Sequence, residues 1–197
     1  MGDHELLMRF LEPIEESYRL RTKRSAELHA RAREFLPGGN SRSTTYFSPH
    51  PLYIERAEGC RLHDVDGNVL VDFLGNFTSM ILGHSHPKVR EAVECQLREA
   101  VSPGACTENI IELASMIRER YPSMERLRFC NSGTEANLYA LKAARAFTGR
   151  EKLIVMEGAY HGGYDWFNIG FNLDPETLSP LPDPSIPRSV SNDVLLV

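Results

Sequence analysis

No run of apolar residues in this chain approaches the length needed to cross a bilayer. The longest pieces, such as Leu153 to Met156 and Val194 to Val197, are short beside the stretch of about 20 that a spanning helix requires. A membrane segment is therefore not expected. The first residues lack a basic patch leading into an apolar core and carry Asp3, His4 and Glu5 instead, which argues against a secretory leader and makes the cytoplasm the expected compartment. Cysteine is sparse: Cys60, Cys95, Cys106 and Cys130 form no close pair of the kind a zinc site or a thioredoxin-like motif needs, so they read as reduced and structural. Charge of one sign is lacking too. The net charge of -5 comes from interspersed signs, which excludes the basic footprint of a nucleic-acid binder. The local cluster Arg19, Arg21, Lys23 and Arg24 reads as a solvated helix face. Two glycine motifs are also missing. Without Gly-x-x-x-x-Gly-Lys or Gly-x-Gly-x-x-Gly, neither a nucleoside-triphosphate loop nor a dinucleotide site is supported.

What is present is a soluble-looking chain of 197 residues with 42% hydrophobic content, enough for a domain or a domain and a half. From His4 to Phe35, Leu6, Leu7, Phe10, Leu11 and Ile14 recur at helical spacing, broken only by Pro13, and two short helices are expected. They stop at Leu36-Pro37-Gly38-Gly39-Asn40. Between Leu52 and Phe73, Cys60, Leu62, Val69 and Val71 flank the turn signal Asp66-Gly67-Asn68 and predict a hairpin. Pro87 suits the first turn of a helix whose face is Val89, Val93, Leu97 and Val101. A second helix runs from Thr107, its cap, to Tyr121, with Ile110, Ala114, Ile117 and Tyr121 on the buried side.

From Leu127 onward the pattern becomes strand, loop, helix, strand. Leu127 to Cys130, a helix from Glu135 to Phe147 closed by Gly149, and the strand Leu153 to Met156 predict a βαβ unit and the start of an open α/β sheet. The stretch from Asp174 to Pro187 holds five prolines and reads as an irregular connection. Asp193 to Val197 begins another strand.

In an open parallel sheet, ligands sit at the carboxyl ends of strands, and two loops reach that edge. Asn131-Ser132-Gly133-Thr134 opens a helix, where unpaired N–H groups and the helix dipole favour an anion. Ser132 and Thr134 add hydroxyl donors, and Gly133 lets the backbone come close. That suits a phosphate cup; an ordinary capped helix start is the alternative. The second loop, Glu157 to Gly163, sets Tyr160 and His161 among glycines, where the ring could stack on a flat ligand or simply pack. His84-Ser85-His86 offers two imidazoles but too few partners for a metal site, and Cys130 reads as a small buried hydrophobe.

Five ordered motifs carry a family resemblance. Leu36-Pro37-Gly38-Gly39-Asn40-Ser41-Arg42, Asp64-Val65-Asp66-Gly67-Asn68, Gly83-His84-Ser85-His86-Pro87, Asn131-Ser132-Gly133-Thr134-Glu135-Ala136-Asn137 with Ala143-Ala144-Arg145, and Tyr160-His161-Gly162 resemble class III aminotransferases. Within them the likeness is to glutamate-1-semialdehyde aminomutases and β-amino-acid aminotransferases. The resemblance implies an α/β chain with the N-terminal part of the pyridoxal-phosphate (PLP) dependent transferase fold type I. Residues 1–75 would form a helical and hairpin segment and 76–197 a partial large domain, with the small C-terminal domain absent.

It further implies that Ser132, Gly133 and Thr134 hold the PLP phosphate, that Tyr160 stacks on the ring with His161 beside it, and that Arg42 binds a substrate carboxylate; a surface arginine is the alternative for Arg42. The substrate would be a small amino acid or keto acid, and the full-length form a homodimer. PLP chemistry needs a Schiff-base lysine, and none of Lys23, Lys88, Lys142 and Lys152 matches the family's position, so no catalytic residue is assigned. The expectation is a piece of a transaminase or aminomutase that is inactive alone, with a non-catalytic interaction module as the alternative.

Overall fold

The computed structural model describes residues 3–174, 176–181 and 183–197. Met1 and Gly2, on which the leader reading partly rests, and Pro175 and Pro182 of the proline-rich connection lie outside them. The chain divides into two compact units, Met1–Gly104 and Ala105–Val197.

The first unit opens with helix α1 (Asp3–Arg21) and helix α2 (Lys23–Ala32). The expected break at Pro13 does not occur; Pro13 lies inside α1. The interruption falls at Thr22, whose backbone leaves helical geometry at φ -132 and ψ 40. There the Thr22 hydroxyl donates to the Tyr18 carbonyl at 2.6 Å and lies 2.9 Å from Nε2 of His50, an alternative to the helical ladder of the kind short hydroxylated side chains offer. Tyr18 closes the loop by donating to the His50 carbonyl at 2.7 Å. Thr22, Ser25, His29, His50 and Asp64 are all buried; hydrogen bonds join the side chains of Thr22, Ser25, His50 and Asp64 to their surroundings, while the buried Nδ1 of His29 has no partner among the described residues.

Strands β1 (Ile54–Glu58), β2 (Arg61–Asp64) and β3 (Val69–Val71) form an antiparallel sheet in that order. The expected hairpin is the β2–β3 pair, and β1 adds a third strand on the other edge of β2. The connection from Asp64 to Asn68 does more than turn the chain. Asp64 accepts from the backbone N–H of Asp66 and Asn68, while Gly67 adopts φ +86, a conformation glycine enters without strain. This geometry aims Asp66 at the start of α2, where its carboxylate accepts from the N–H of Arg24 at 2.6 Å and of Ser25 at 3.0 Å, and from the Ser25 hydroxyl at 2.6 Å. A helix without a side-chain cap of its own is thus capped from 41 residues away. Helix α3 is a single turn, Gly75–Thr78, and helix α4 spans Pro87–Glu99 with Pro87 in its first turn.

The second unit contains α5 (Glu108–Arg120), α6 (Gly133–Thr148), β4 (Leu153–Val155), two short helices α7 (Asp165–Asn168) and α8 (Arg188–Ser191), and β5 (Val194–Leu196). Gly149 ends α6 in the left-handed conformation, as expected of a helix-closing glycine. Two expectations need correction. Residues 127–130 are not assigned as a strand, because a strand is defined by its ladder and none is formed there; the parallel pair is β4 with β5. On α5 the intended inner face is not buried: Ala114 and Ile117 are half-buried, and Ile110 and Tyr121 exposed. Thr107 stands at the cap position, yet its side chain makes no capping bond. The buried apolar side chains of this unit are Leu141, Val155 and Phe167.

Burial would raise the Asp66 carboxyl, but the Ser25 hydroxyl and the N–H groups of Arg24 and Ser25 outweigh it and hold the group below the usual carboxylate range. Its contribution to stability is therefore present above that range and is lost as pH falls through the depressed value. Asp66→Ala should cost about 1 kcal/mol of stability, the usual worth of a helix cap, and Asp66→Asn less. Denaturant unfolding at neutral and acidic pH checks this: the wild-type advantage over Asp66→Ala should shrink on acidification.

Candidate functional site

In the second unit, Ser132 takes the cap position of α6 with extended backbone, and its hydroxyl accepts from the Glu135 N–H at 3.1 Å. Glu135 reaches back and accepts from the Asn131 N–H at 2.8 Å. The ladder begins with Ala136 N–H on the Ser132 carbonyl. This leaves the N–H groups of Gly133 and Thr134 outside it, at the positive end of a sixteen-residue helix. A Cβ built on Gly133 would meet nothing within 4 Å beyond its chain neighbours and the helix's own backbone. The space over the helix start is open, and the residues fit an anion such as a phosphate ester.

The loop after β4 is tied to this helix start twice. The Gly163 N–H donates to Oγ1 of Thr134 at 3.2 Å, and Nδ2 of Asn137 donates to the His161 carbonyl at 2.7 Å. Because Thr134 accepts from Gly163, its own hydroxyl proton remains available for another acceptor. Gly162 sits at φ +121 against Thr134, where a Cβ would come within 2.8 Å of Oγ1. Only glycine allows this approach. Tyr160 is 66% exposed and meets Phe171 edge-on, with ring centroids 5.3 Å apart; the phenol ring is propped from one side and accessible. Nε2 of His161 is buried with no hydrogen-bond partner among the described residues. Cys130 is half-buried.

The structure thus brings together Ser132, Gly133, Thr134 and the loop carrying Tyr160 and His161. Two contributors escaped the sequence reading as functional residues. Glu135 completes a Ser-x-x-Glu capping pattern that was visible in the spacing. Asn137 was not detectable as a tether, since its partner is a carbonyl 24 residues away.

Arg42 belongs to the first unit. Its carbonyl accepts from the Thr45 N–H at 3.0 Å and hydroxyl at 2.7 Å, and its guanidinium carbon lies 5.1 Å from the ring centroid of Phe77. Phe77 rides on α3, which is a left-handed turn: Gly75, Asn76, Phe77 and Thr78 all have φ between +48 and +67. For Phe77 and Thr78 this costs roughly 1–2 kcal/mol each, while Asn76 tolerates it. The turn is anchored by Asp72, which accepts from the N–H of Leu74 at 2.8 Å and of Gly75 at 2.9 Å, and pairs with Nε2 of His84 at 2.6 Å. The His84 hydrogen bond and the Gly75 and Leu74 N–H groups hold the Asp72 carboxyl below its ordinary value. The His84-Ser85-His86 stretch is structural here. His84 exchanges backbone hydrogen bonds with Gly59, and the Ser85 hydroxyl donates to the Ala57 carbonyl.

Comparison with known proteins agrees with the motifs. A glutamate-1-semialdehyde 2,1-aminomutase from Methanopyrus kandleri is 43% identical over 172 residues, covering 87% of this chain and 40% of that protein. A solved transaminase with PLP bound is 40% identical with a TM-score of 0.83, covering 89% of this chain and 41% of the other. A β-phenylalanine aminotransferase from Variovorax paradoxus is 36% identical with a TM-score of 0.79, covering 95% and 40%. The chain therefore spans about 40% of the length of the relatives it matches. Its fold is that of the N-terminal part of the PLP-dependent fold type I transferases. Residues 44–166 match the family model described as aminotransferase class-III, and the chain belongs to the class III aminotransferase family.

Proposed function

We propose that this chain is the phosphate- and carboxylate-binding part of a PLP-dependent enzyme that moves an amino group on a small, carboxylate-bearing amino acid, as a transaminase or an aminomutase. The observation that carries the reading is the open start of α6, where the Gly133 and Thr134 N–H groups lie outside the helical ladder and a Cβ at Gly133 would meet nothing within 4 Å beyond its chain neighbours and the helix's own backbone. When bound, PLP supplies an electron sink for bonds to the substrate's amino-bearing carbon. The chain's own residues bind and orient. The Gly133 and Thr134 N–H groups and the Ser132 and Thr134 hydroxyls would hold the phosphate. The exposed face of Tyr160 would stack on the pyridine ring, with His161 beside it. Arg42 would hold the substrate carboxylate.

None of the four lysines suits the role of holding the cofactor's aldehyde. Lys142 lies nine residues into α6, roughly 13 Å along the axis from its start at about 1.5 Å per residue. Lys152 precedes β4, at the opposite end of that strand from the Tyr160 loop. Lys23 opens α2 and Lys88 lies in the first turn of α4, and neither matches the position of the family's lysine. A polypeptide of these 197 residues alone should therefore bind PLP weakly and transfer no amino groups. Borohydride reduction in the presence of PLP, followed by peptide mapping, tests this: a stoichiometric adduct on one of the four lysines together with turnover above that of free PLP would contradict it.

In the full-length enzyme, Gly133→Val should weaken PLP binding by at least about tenfold, the loss of one charge-assisted hydrogen bond. It should leave the unfolding midpoint nearly unchanged, because the added side chain meets open space. Titration by the cofactor's absorbance together with thermal unfolding separates the two effects. Arg42→Ala should raise KM for the carboxylate substrate by an amount equivalent to about 1.5–3 kcal/mol, with kcat less affected; steady-state kinetics would return Arg42 to the role of a surface residue if KM were unchanged.

A further inference from the structure

Arg42 is exposed and forms no ion pair among the described residues, yet its position is determined from two sides. Its backbone carbonyl receives both bonds from Thr45, and its guanidinium lies over the Phe77 ring at 5.1 Å. An arginine on an exposed loop ordinarily samples many rotamers, and an aromatic face beneath the guanidinium selects among them without consuming its N–H donors. A carboxylate partner in the same place would occupy those donors. The ring leaves the whole planar fork free for a substrate carboxylate.

The ring's own placement is costly. Phe77 has φ +56 in the middle of a left-handed turn whose three non-glycine residues are all at positive φ. A bulky residue adopts this conformation only where its surroundings over-determine it, and such outliers cluster at functional sites. The surroundings are visible. Asp72 receives the N–H groups of Leu74 and Gly75 and is fixed in turn by His84. On the far side, the Ser79 hydroxyl donates to the Asn76 carbonyl at 2.8 Å and receives Nδ2 of Asn76 at 3.1 Å. Hydrogen bonds on both sides of the turn hold it, and the side chain it presents is a ring 43% exposed beneath a guanidinium.

We propose that Phe77 is a positioning residue for the substrate carboxylate: its ring, presented by the left-handed turn, orients the Arg42 guanidinium so that its donors meet the carboxylate. The inference rests on the reading of Arg42 as the carboxylate ligand. Removing the ring does not remove the charge. It releases the guanidinium to other rotamers, so binding weakens by the ordering that must then be supplied on association.

The test uses the full-length PLP-loaded enzyme with the single variants Phe77→Leu, Phe77→Tyr and Arg42→Ala and the double variant of Phe77→Leu with Arg42→Ala. Cofactor absorbance and thermal unfolding monitor integrity. Phe77→Leu should raise KM for the carboxylate substrate by about two- to fivefold, the range of an exposed cation–π contact, with kcat changed by less than about twofold. Phe77→Tyr, which keeps the ring, should restore KM. In the Arg42→Ala background, Phe77→Leu should add nothing further, because the group it orients is gone. A KM effect of Phe77→Leu that persists without Arg42, or its absence while Arg42→Ala still raises KM, overturns the positioning role. An unchanged KM in Arg42→Ala overturns the carboxylate reading beneath it. If Phe77→Leu fails to fold, the comparison of Phe77→Tyr with Phe77→Met decides: the positioning role requires the ring-bearing variant alone to keep the low KM.

Discussion

The geometry of the second unit's site depends on one hydroxyl. Oγ1 of Thr134 accepts the Gly163 N–H, which docks the loop after β4 on the first turn of α6, and the close approach of Gly162 to the same side chain leaves no room for any other residue there. Without that contact the loop would be held to α6 only through Asn137, one turn away from the helix start. With it, the first turn of α6 and the loop after β4 are joined directly. The Asn137–His161 bond repeats the attachment one turn further along the helix. Both bonds are partly exposed, so each contributes modestly to stability. What they determine is where the open N–H groups and the exposed ring stand relative to one another.

The first unit is organised differently. Its interior is built from Thr22, Ser25, His50 and Asp64 rather than from large apolar side chains. Buried polar groups of this kind are costly unless partnered, and among the described residues the buried side chains here are, apart from Nδ1 of His29 and of His86. Here the partners come from far along the chain: His50 answers Thr22 and Tyr18, and Asp66 answers the open end of α2. The helices and the sheet are therefore coupled through directional bonds. Coupling through directional bonds fixes register more sharply than apolar contact does, and it makes the Asp64-Val65-Asp66-Gly67-Asn68 turn a cap and a hairpin at once.

This division explains which parts were legible in the sequence. The turn signal at Asp66-Gly67-Asn68, the glycine ending α6 and the proline opening α4 are local rules, and each appears where its residues stand. The capped start of α6 was legible for the same reason, because a helix start with Ser, Gly and Thr is described by adjacent residues. Where the outcome depends on a partner, the pattern alone fails. Pro13 was read as a breaker, but the helix continues through it and stops at Thr22, where hydrogen bonds to Tyr18 and His50 offer another arrangement. Residues 127–130 have the composition of a strand without the ladder that makes one. The stripe Ile110, Ala114, Ile117 and Tyr121 has helical spacing, yet periodicity says which side is apolar and nothing about what covers it. Asn137 and Phe77 were invisible as site residues for the same cause: the groups they meet are remote in sequence.

The left-handed turn at Gly75–Thr78 extends this point from packing to chemistry. Asn76 tolerates positive φ, but local propensity disfavours it at both Phe77 and Thr78. A conflict between local preference and observed conformation is relieved somewhere in the surrounding structure or is used. Here the relief is traceable to Asp72, whose carboxylate gathers two N–H groups and an imidazole, and the use is traceable to the one aromatic side chain the turn carries. The strain thus separates two tasks that a straight strand or helix would merge. The backbone from Asp72 to Ser79 is shaped by hydrogen bonds to itself and to His84, so the Phe77 ring is free of structural duty toward that backbone and can face the Arg42 guanidinium. An arginine oriented by a ring, rather than by a carboxylate, keeps its full hydrogen-bonding fork for whatever anion arrives.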